Sequence, residues 1–192
     1  LDAIAGDGDH GRGMVRGIDA AYSAAVYAVQ RGGGAESTLA AAGDAWGDRA
    51  GGTSGVLWGA GLRALGEALG NSDQPSAEQM GAGVDAFSSR LLELGKAEPG
   101  DKTMMDAIVP FAKTLNDGIR GGSSLIDAWI SAAAVASQAA EATSSLRPKR
   151  GRARPLAEKS LGTPDPGAIS LGLIVTALGE HLVHYSTQEE NL

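Results

Sequence analysis

Residues 13–31 read GMVRGIDAAYSAAVYAVQR, and this stretch decides the fold class. Its larger apolar residues recur at intervals of three and four, at Met14, Ile18, Tyr22, Val26 and Val29. That period is typical of an amphipathic α-helix. Because three consecutive glycines follow at 32–34, the pattern predicts a helix that ends there.

The same period recurs along the rest of the chain, and no alternating run of five β-branched residues appears. We therefore predict an all-α fold of about seven helices, antiparallel to their neighbours because the connections are short. Ser76 and Gln79 have the spacing of a capping box, and Pro110 should kink its helix or mark its first turns. The predicted helices cover approximately residues 13–31, 37–46, 56–69, 76–94, 103–119, 123–145 and 167–185.

Composition excludes several classes of protein. The 192 residues suit a single domain, and 43% hydrophobic residues are too many for a disordered chain. The 29 glycines have no G-X-Y period, which excludes collagen, and the lack of cysteine excludes disulfide frameworks and cysteine zinc sites. A net charge of -7 argues against a general nucleic-acid binder. No apolar run approaches the roughly 20 residues that span a bilayer, so no membrane segment is predicted.

Glycine is concentrated with polar residues in four predicted loops. In an up-and-down bundle, alternate loops lie at the same end, so we expect these loops to form one composite site on the rim. The four loops are residues 2–13, 48–55, 95–103 and 151–167.

The first loop contains three carboxylates, Asp2, Asp7 and Asp9, within eight residues. Carboxylates this close repel one another unless a cation neutralises them, and hard oxygen ligands suit Mg²⁺ or Ca²⁺. An EF-hand would need Glu at its twelfth position, where this chain has Gly13 or Ile18. The pattern favours Mg²⁺ with a phosphate, since the N–H groups of the following helix, near His10 to Gly13, favour an anion. Turn formation by Asp-Gly pairs is the alternative.

The second and third loops have weaker signals. Thr53 and Ser54 lie in a GGTSG stretch that could wrap a phosphate, although it lacks the GK[ST] of a P-loop, and either residue could instead be a helix N-cap. In the third loop, Lys96 and Lys102 could face phosphates, while Asp101 or Thr103 could cap the next helix. The alternative there is a solvated loop.

The fourth cluster lies in a polar, proline-containing stretch, residues 146–166, that we predict to be one long loop. This stretch contains RPKRGRARP at residues 147–155, the one dense basic stretch of an acidic chain. It lacks the aromatic residues of a single-strand binder, so phosphate recognition by arginine fits better, with a solvated charged loop as the alternative. His181 and His184 are predicted to lie on the surface or to complement a helix dipole. The three tryptophans, Trp46, Trp58 and Trp129, are predicted core or interface anchors.

Taken together and in order, these motifs resemble the nucleotide-binding L-type domain of dihydroxyacetone kinases. The matching stretches are Asp2 with GDGDHG (6–11), GGTSG (51–55), KAEPGDKTM (96–104), GRA (151–153) and DPGA (165–168). The resemblance covers nearly the whole chain and implies one L-type domain over residues 1–192. It implies a closed barrel of eight antiparallel helices with the nucleotide at one end. The family's first helix would then lie before Leu1.

The resemblance also implies roles for individual residues. It implies that Asp2, Asp7 and Asp9 hold two Mg²⁺ ions that bridge the nucleotide phosphates, and it places Asp7 and Arg152 in the catalytic machinery. Gly13 stands where the family has Asn, so a side-chain contact from that position is not expected. The positions implied for nucleotide contact are His10, Gly11, Arg12, Gly13, Thr53, Ser54, Gly95, Met104, Arg152, Asp165, Pro166 and Gly167.

The implied activity is phosphoryl transfer from ATP, with Arg152 stabilising negative oxygens. The ketose, dihydroxyacetone or a relative such as erythrulose, would bind on a separate K-type domain or subunit, so this chain alone should not phosphorylate a triose. The alternative form is an L subunit that holds ADP and receives phosphate from a phosphotransferase-system protein. A fatty-acid kinase domain and a non-catalytic partner of a transcription factor are further alternatives. We expect a cytoplasmic protein that is oligomeric at full length and binds neither nucleic acid nor membrane.

Overall fold

The computed structural model describes residues 1–71, 74–150 and 157–189. Seven long helices account for most of these residues, and no strand occurs among them, so the all-α prediction is confirmed. Two four-residue helices and a 3-10 turn at Thr143–Ser145 complete the elements. The helices are α1 (Asp2–Ala5), α2 (His10–Gln30), α3 (Ala35–Ala50), α4 (Gly52–Leu69), α5 (Ala77–Gly95), α6 (Met105–Arg120), α7 (Leu125–Ala142), α8 (Ala157–Ser160) and α9 (Pro166–Glu189).

Several predicted boundaries are wrong in an informative way. The helix α2 begins at His10 rather than Gly13, because the Asp2 carboxylate accepts the His10 N–H at 2.9 Å. Only Gly51 separates α3 from α4, so the predicted loop at 48–55 is almost entirely helical. The predicted loop at 146–166 contains α8. Pro110 lies in the second turn of α6.

The chain divides into two compact units. The N-terminal unit consists of Asp2 and residues 7–97, and the C-terminal unit consists of Leu1, residues 3–6 and residues 98 onward. In the N-terminal unit α2 packs on α3, α3 on α4 and α4 on α5. The Glu36 N–H at the start of α3 donates to the Gly70 carbonyl at the end of α4, which shows that these neighbours are antiparallel, as predicted.

Aromatic stacking forms the centre of the N-terminal unit. The rings of Trp46 and Trp58 stack at 5.0 Å, and Phe87 meets Trp58 edge-on at 5.6 Å. Both Trp46 and Trp58 are buried, as predicted.

The predicted capping box at the start of α5 is confirmed, since Ser76 Oγ accepts the Gln79 N–H and the Gln79 side chain accepts the Ser76 N–H.

The C-terminal unit consists mainly of α6, α7 and α9, which contact one another. Phe111 of α6 meets Trp129 of α7 edge-on at 5.1 Å, and the indole N–H of Trp129 donates to the Val175 carbonyl of α9 at 2.8 Å. Trp129 is therefore a core anchor with its polar atom satisfied. His181 and His184 lie exposed on α9, which confirms the prediction of surface positions.

The helix α9 corrects the expectation that no segment could span a bilayer. Residues 166–188 form a helix that is long and apolar enough to cross a membrane, judged by length and composition alone, with a mean hydropathy of 1.4. One such helix is weak evidence for a membrane span, because a core helix of a soluble protein can have the same length and composition. Here α9 packs one face, which includes Ala168, Leu171 and Val175, inside the C-terminal unit.

Glycine also has a role inside the helices, which the assignment of glycine to loops did not anticipate. A Cβ on Gly43 of α3 would lie 2.5 Å from the Gly59 carbonyl oxygen of α4, and a Cβ on Gly59 would lie 2.5 Å from the Gly43 carbonyl oxygen. At Gly61 of α4 the neighbour is a side chain, since a Cβ there would lie 2.6 Å from the Phe87 ring of α5. The helices of the N-terminal unit are therefore close enough for backbone to touch backbone, which only glycine permits.

This contact predicts opposite signs for two similar substitutions in α3. Gly43→Ala should destabilise the protein by about 1–3 kcal/mol, because the new methyl group would overlap a backbone carbonyl. Gly47→Ala should stabilise it by up to about 1 kcal/mol, because the nearest atom that a Cβ would meet across the helix interface is the Gly55 carbonyl oxygen at 3.9 Å, and alanine favours helix. Urea denaturation of both variants tests this, and a Gly43→Ala variant as stable as wild type would contradict it.

Candidate functional site

Three carboxylates converge at the start of the N-terminal unit. Asp2, Asp7 and Asp9 can each offer one oxygen, and these oxygens lie within 4.8 Å of one another. Gly8, between two of the carboxylates, has a φ of 76°, a turn conformation that a side chain would strain. Asp7 and Asp9 are exposed and Asp2 is half-buried, so the cluster opens to solvent. The prediction that this loop gathers its carboxylates agrees with this geometry.

The start of α2 lies beside this carboxylate cluster. The His10 N–H donates to Asp2 Oδ2, which fixes the first turn of the helix against one of the three carboxylates. Gly11, Arg12 and Gly13 continue that turn. The N-terminal end of a helix favours anions, so a cation on the carboxylates and a phosphate on the helix would lie side by side.

The α3–α4 junction approaches the same end of α2. A Cβ on Gly13 would lie 3.0 Å from the Ala50 carbonyl oxygen, and the Arg16 guanidinium donates to the Arg49 and Ala50 carbonyls. Thus the first and second predicted motifs lie next to each other within the N-terminal unit. Gly95, the last residue of α5, belongs to this unit as well.

The predicted capping roles of Thr53 and Ser54 are wrong. The N-cap of α4 is Gly51, which has a φ of 75°, and both hydroxyl residues lie in the first helical turn. Ser54 Oγ is shielded from solvent and has no hydrogen-bond partner among the described residues. A buried hydroxyl without a partner at a helix N-terminus suits a bound anion.

A second group of predicted residues lies in the C-terminal unit. Met104 precedes α6, and Asp165 precedes α9, whose first residues are Pro166 and Gly167. A Cβ on Gly167 would lie 3.7 Å from that of Met104, so the structure brings these positions together. The Asp165 carboxylate accepts the Ala168 N–H at 2.7 Å, and its own N–H donates to the Thr143 hydroxyl. Asp165 is thus the N-cap of α9.

Burial raises the pKa of Asp165 to about 6. The nearby carboxylate of Asp106 also raises this pKa, whereas the N–H groups of Ala168 and Gly167 and the Lys102 ammonium oppose the rise. The protein therefore pays a desolvation cost at neutral pH to hold a charged N-cap here.

The third loop differs from its prediction. Lys102 does not face solvent or an open phosphate site, because it is buried and its ammonium donates to the Ser160 carbonyl at 2.6 Å. Lys96 is exposed. The predicted capping of α6 by Asp101 or Thr103 is wrong, because Met104 is its N-cap. The Thr103 hydroxyl accepts the Met105 N–H, whereas Asp101 accepts the Glu98 N–H within the loop.

Three side chains of the basic stretch form ion pairs with carboxylates of the protein. Arg147 pairs with Glu158 at 2.5 Å, while Lys149 and Arg150 both contact Asp101 at 3.3 Å. These three basic side chains therefore have partners in the structure. Arg152, the predicted catalytic and nucleotide-binding residue, lies outside the described residues.

One of these features had a recognisable signal in the sequence. Asp165 followed by Pro166 is an N-cap and N1 pair, which marks the start of α9 one residue earlier than predicted. Lys102 had no such signal, because nothing in a loop sequence distinguishes a buried lysine from an exposed one.

The chain is similar to known proteins along nearly its whole length. The family model described as the DAK2 domain matches residues 4–180. The D-erythrulose kinase of Mycolicibacterium smegmatis is 54% identical over 191 residues, which are all of this chain and 33% of that protein. The ADP-binding subunit DhaL of the PEP-dependent dihydroxyacetone kinase of Escherichia coli is 31% identical over 93% of this chain and 84% of DhaL.

Solved structures agree with these sequence matches. The native dihydroxyacetone kinase of C. freundii superimposes with a TM-score of 0.65 at 28% identity, over 94% of this chain and 30% of that one. The same enzyme in complex with AMP-PNP and Mg²⁺ gives a TM-score of 0.61. This chain spans about a third of the length of the erythrulose kinases that it matches. The chain belongs to the DAK2 domain family.

Proposed function

We propose that this chain is the Mg²⁺-nucleotide-binding domain of a kinase that phosphorylates a short ketose. The carboxylate cluster of Asp2, Asp7 and Asp9 beside the start of α2 is the observation that carries the proposal. We further propose that residues 1–192 are one L-type domain, because the family model extends over both compact units.

The residues present fit the implied cofactors. Three carboxylate oxygens within 4.8 Å of one another form the hard, anionic donor set that Mg²⁺ prefers, with positions left for phosphate oxygens. The Ser54 hydroxyl, for which the described part of the chain offers no hydrogen-bond partner, suits a phosphate acceptor. The C. freundii enzyme, a solved relative, was crystallised with AMP-PNP and Mg²⁺, and DhaL is named for binding ADP. Two Mg²⁺ ions with ATP or ADP are therefore proposed.

The proposed chemistry is phosphoryl transfer, in which positioning and charge neutralisation provide most of the catalysis. Bound Mg²⁺ would supply neutralisation of the phosphate charge. The chain itself would hold the metal through its three carboxylates, orient the phosphates at the first turns of α2 and α4, and contact the nucleotide through Gly95, Met104 and residues 165–167. Arg152 is proposed to stabilise the transferring group.

The ketose and its binding domain are proposed from the relatives. Three similar proteins are named as erythrulose kinases, and each is about three times as long as this chain, which leaves room for a K-type domain. Dihydroxyacetone or erythrulose is therefore the proposed acceptor and ATP the proposed donor. A cytoplasmic, oligomeric full-length enzyme is part of the same proposal.

A second form is supported by DhaL, of which this chain covers 84%. In that form the chain would keep ADP bound and receive phosphate from a phosphotransferase-system phosphocarrier. Retention of ADP through gel filtration would favour this form, whereas free exchange of ATP would favour the ATP-dependent kinase.

A reconstitution assay tests the proposed function. With Mg²⁺, ATP and dihydroxyacetone or erythrulose, residues 1–192 alone should form no ketose phosphate, because the ketose is proposed to bind on a K-type domain. Adding a K-type domain stripped of its own L domain should start turnover, while that K-type domain alone should remain inactive. Ketose phosphorylation by the chain alone would contradict the proposal, and so would a mixture that never turns over.

A further inference from the structure

Two adjacent charged residues are buried in the connection between α5 and α6. Asp101 is 7% exposed and Lys102 is 4% exposed. Charged side chains are almost never buried to this extent unless they are paired, since removing them from water is costly. Neither residue belongs to the proposed nucleotide contacts, so their burial needs a separate explanation.

Lys102 contacts the C-terminal end of α8. Its backbone has a φ of 62°, a left-handed conformation that costs a non-glycine residue on the order of 1 kcal/mol. Its ammonium donates to the carbonyl of Ser160, the last residue of α8, at 2.6 Å. The same carbonyl accepts the Thr163 N–H, in the turn that leads to Asp165. Position 102 therefore requires lysine for the hydrogen bond of its side chain, and not for its backbone conformation.

Asp101 contacts residues 149 and 150, which precede α8 in the chain. Its carboxylate contacts Lys149 Nζ and Arg150 Nε, each at 3.3 Å, and its backbone carbonyl accepts the Lys149 N–H at 3.1 Å. Both cations are more than half exposed, whereas the Asp101 side chain is only 10% exposed. Two neighbouring residues of one loop thus bind residues 149–150 and residue 160.

We propose that Asp101 and Lys102 are positioning residues, which clamp residues 149–150 and 160 so that the turn into Asp165, Pro166 and Gly167 keeps its nucleotide-binding position. The clamp acts through other residues and does not itself touch the nucleotide. This inference rests on the proposed function, since residues 165–167 are nucleotide contacts only if the chain binds a nucleotide.

Titration calorimetry with Mg²⁺-ATP on the full chain tests the clamp. Lys102→Met removes the ammonium and keeps the length of the side chain, and Asp101→Asn removes the charge at nearly constant shape. We expect each variant to bind Mg²⁺-ATP about 10-fold more weakly or worse, because small displacements of binding groups carry large penalties. Lys159→Met is the matched control, because Lys159 is an exposed lysine on α8 next to Ser160, and this variant should bind Mg²⁺-ATP within about twofold of wild type.

A second readout separates positioning from general loss of structure. Binding of Mn²⁺ alone to the carboxylate cluster, followed by electron paramagnetic resonance, should be unchanged in Lys102→Met and Asp101→Asn. Loss of Mn²⁺ binding together with ATP binding would mean that the variants are simply less folded and would overturn the clamp. If Lys102→Met fails to fold, Asp101→Asn decides the question.

The outcomes also separate this inference from the proposed function. If wild type binds Mg²⁺-ATP and both variants bind it within about twofold, the clamp is wrong and the proposed function stands. If wild type itself does not bind Mg²⁺-ATP, the proposed function is wrong and the clamp falls with it.

Discussion

Replacing Asp7 by Asn should weaken binding of Mg²⁺-ATP by at least about 100-fold. Changing a residue that only supports a metal ligand lowers metal affinity by up to about 100-fold, and loss of a ligand itself should cost at least as much. The substitution removes one of three charges that converge within 4.8 Å and leaves the side chain nearly the same size. A neutral amide oxygen is a poorer ligand for a hard divalent cation, so the metal and the phosphates that depend on it should both be lost. Calorimetric titration of the variant measures the effect.

The control for Asp7→Asn is Asp19→Asn. Asp19 is an exposed carboxylate on α2, so this variant loses the same charge from the same part of the chain without touching the carboxylate cluster. Its affinity for Mg²⁺-ATP should stay close to that of wild type. Equal weakening in both variants would mean that net charge, rather than metal ligation, controls binding, and unchanged binding in Asp7→Asn would reject the metal assignment.

Asp165 should make the stability of the protein fall as the pH rises from 4 to 8. Its pKa is about 6 in the folded protein against an ordinary value of 3.8, because burial disfavours the charged form. A carboxyl group with a raised pKa contributes its full stabilisation below pH 3.8, and this contribution is lost as the pH rises through about 6. The difference between the two values corresponds to about 3 kcal/mol.

Asp165→Asn should remove this pH dependence and keep the cap, since the amide oxygen can still accept the Ala168 N–H. Denaturation of wild type and variant from pH 4 to pH 8 should therefore show wild type losing up to about 3 kcal/mol relative to the variant. Asp117→Asn is a control that should leave the profile from pH 4 to pH 8 nearly unchanged, because hydrogen bonds from Lys113 and Arg120 lower the pKa of Asp117 and move its titration below this range. Parallel pH profiles for wild type and Asp165→Asn would contradict the raised pKa.

The sequence predicted the number and type of the long helices because their apolar period is strong and their ends carry glycines and caps. It did not predict which face of α2 is buried. Met14, Gly17 and Ala21 form the buried face, whereas Ile18, Tyr22 and Val29 are exposed in the structure. The tight approach of α3 explains this, since a Cβ on Gly17 would lie 2.7 Å from Trp46 Nε1 and only small residues fit there. The close approach of α3 therefore selects a residue without a side chain at Gly17, and the periodicity of the larger apolar residues does not report this contact.

The candidate site was predictable where its residues are close in sequence. Asp2, Asp7 and Asp9 are neighbours in the chain, so a single loop can gather them. The starts of α2 and α4 were less predictable, since the helices begin three and four residues earlier than their apolar periods indicate. The interactions of Lys102 were not predictable, because its partner Ser160 is 58 residues away and contributes a backbone carbonyl. No side-chain pattern reports such a contact. The Asp101 pairing with Lys149 and Arg150 joins equally distant segments, for which charge alone does not select the partner.

If Asp2, Asp7 and Asp9 form a metal site through which the chain binds a nucleotide, removal of the metal must abolish nucleotide binding. ATP is titrated into the wild-type chain, once with excess Mg²⁺ and once with EDTA. We expect saturable binding with Mg²⁺ and binding that is lost or strongly weakened in EDTA. Equal ATP binding in both conditions, or none in either, would contradict it.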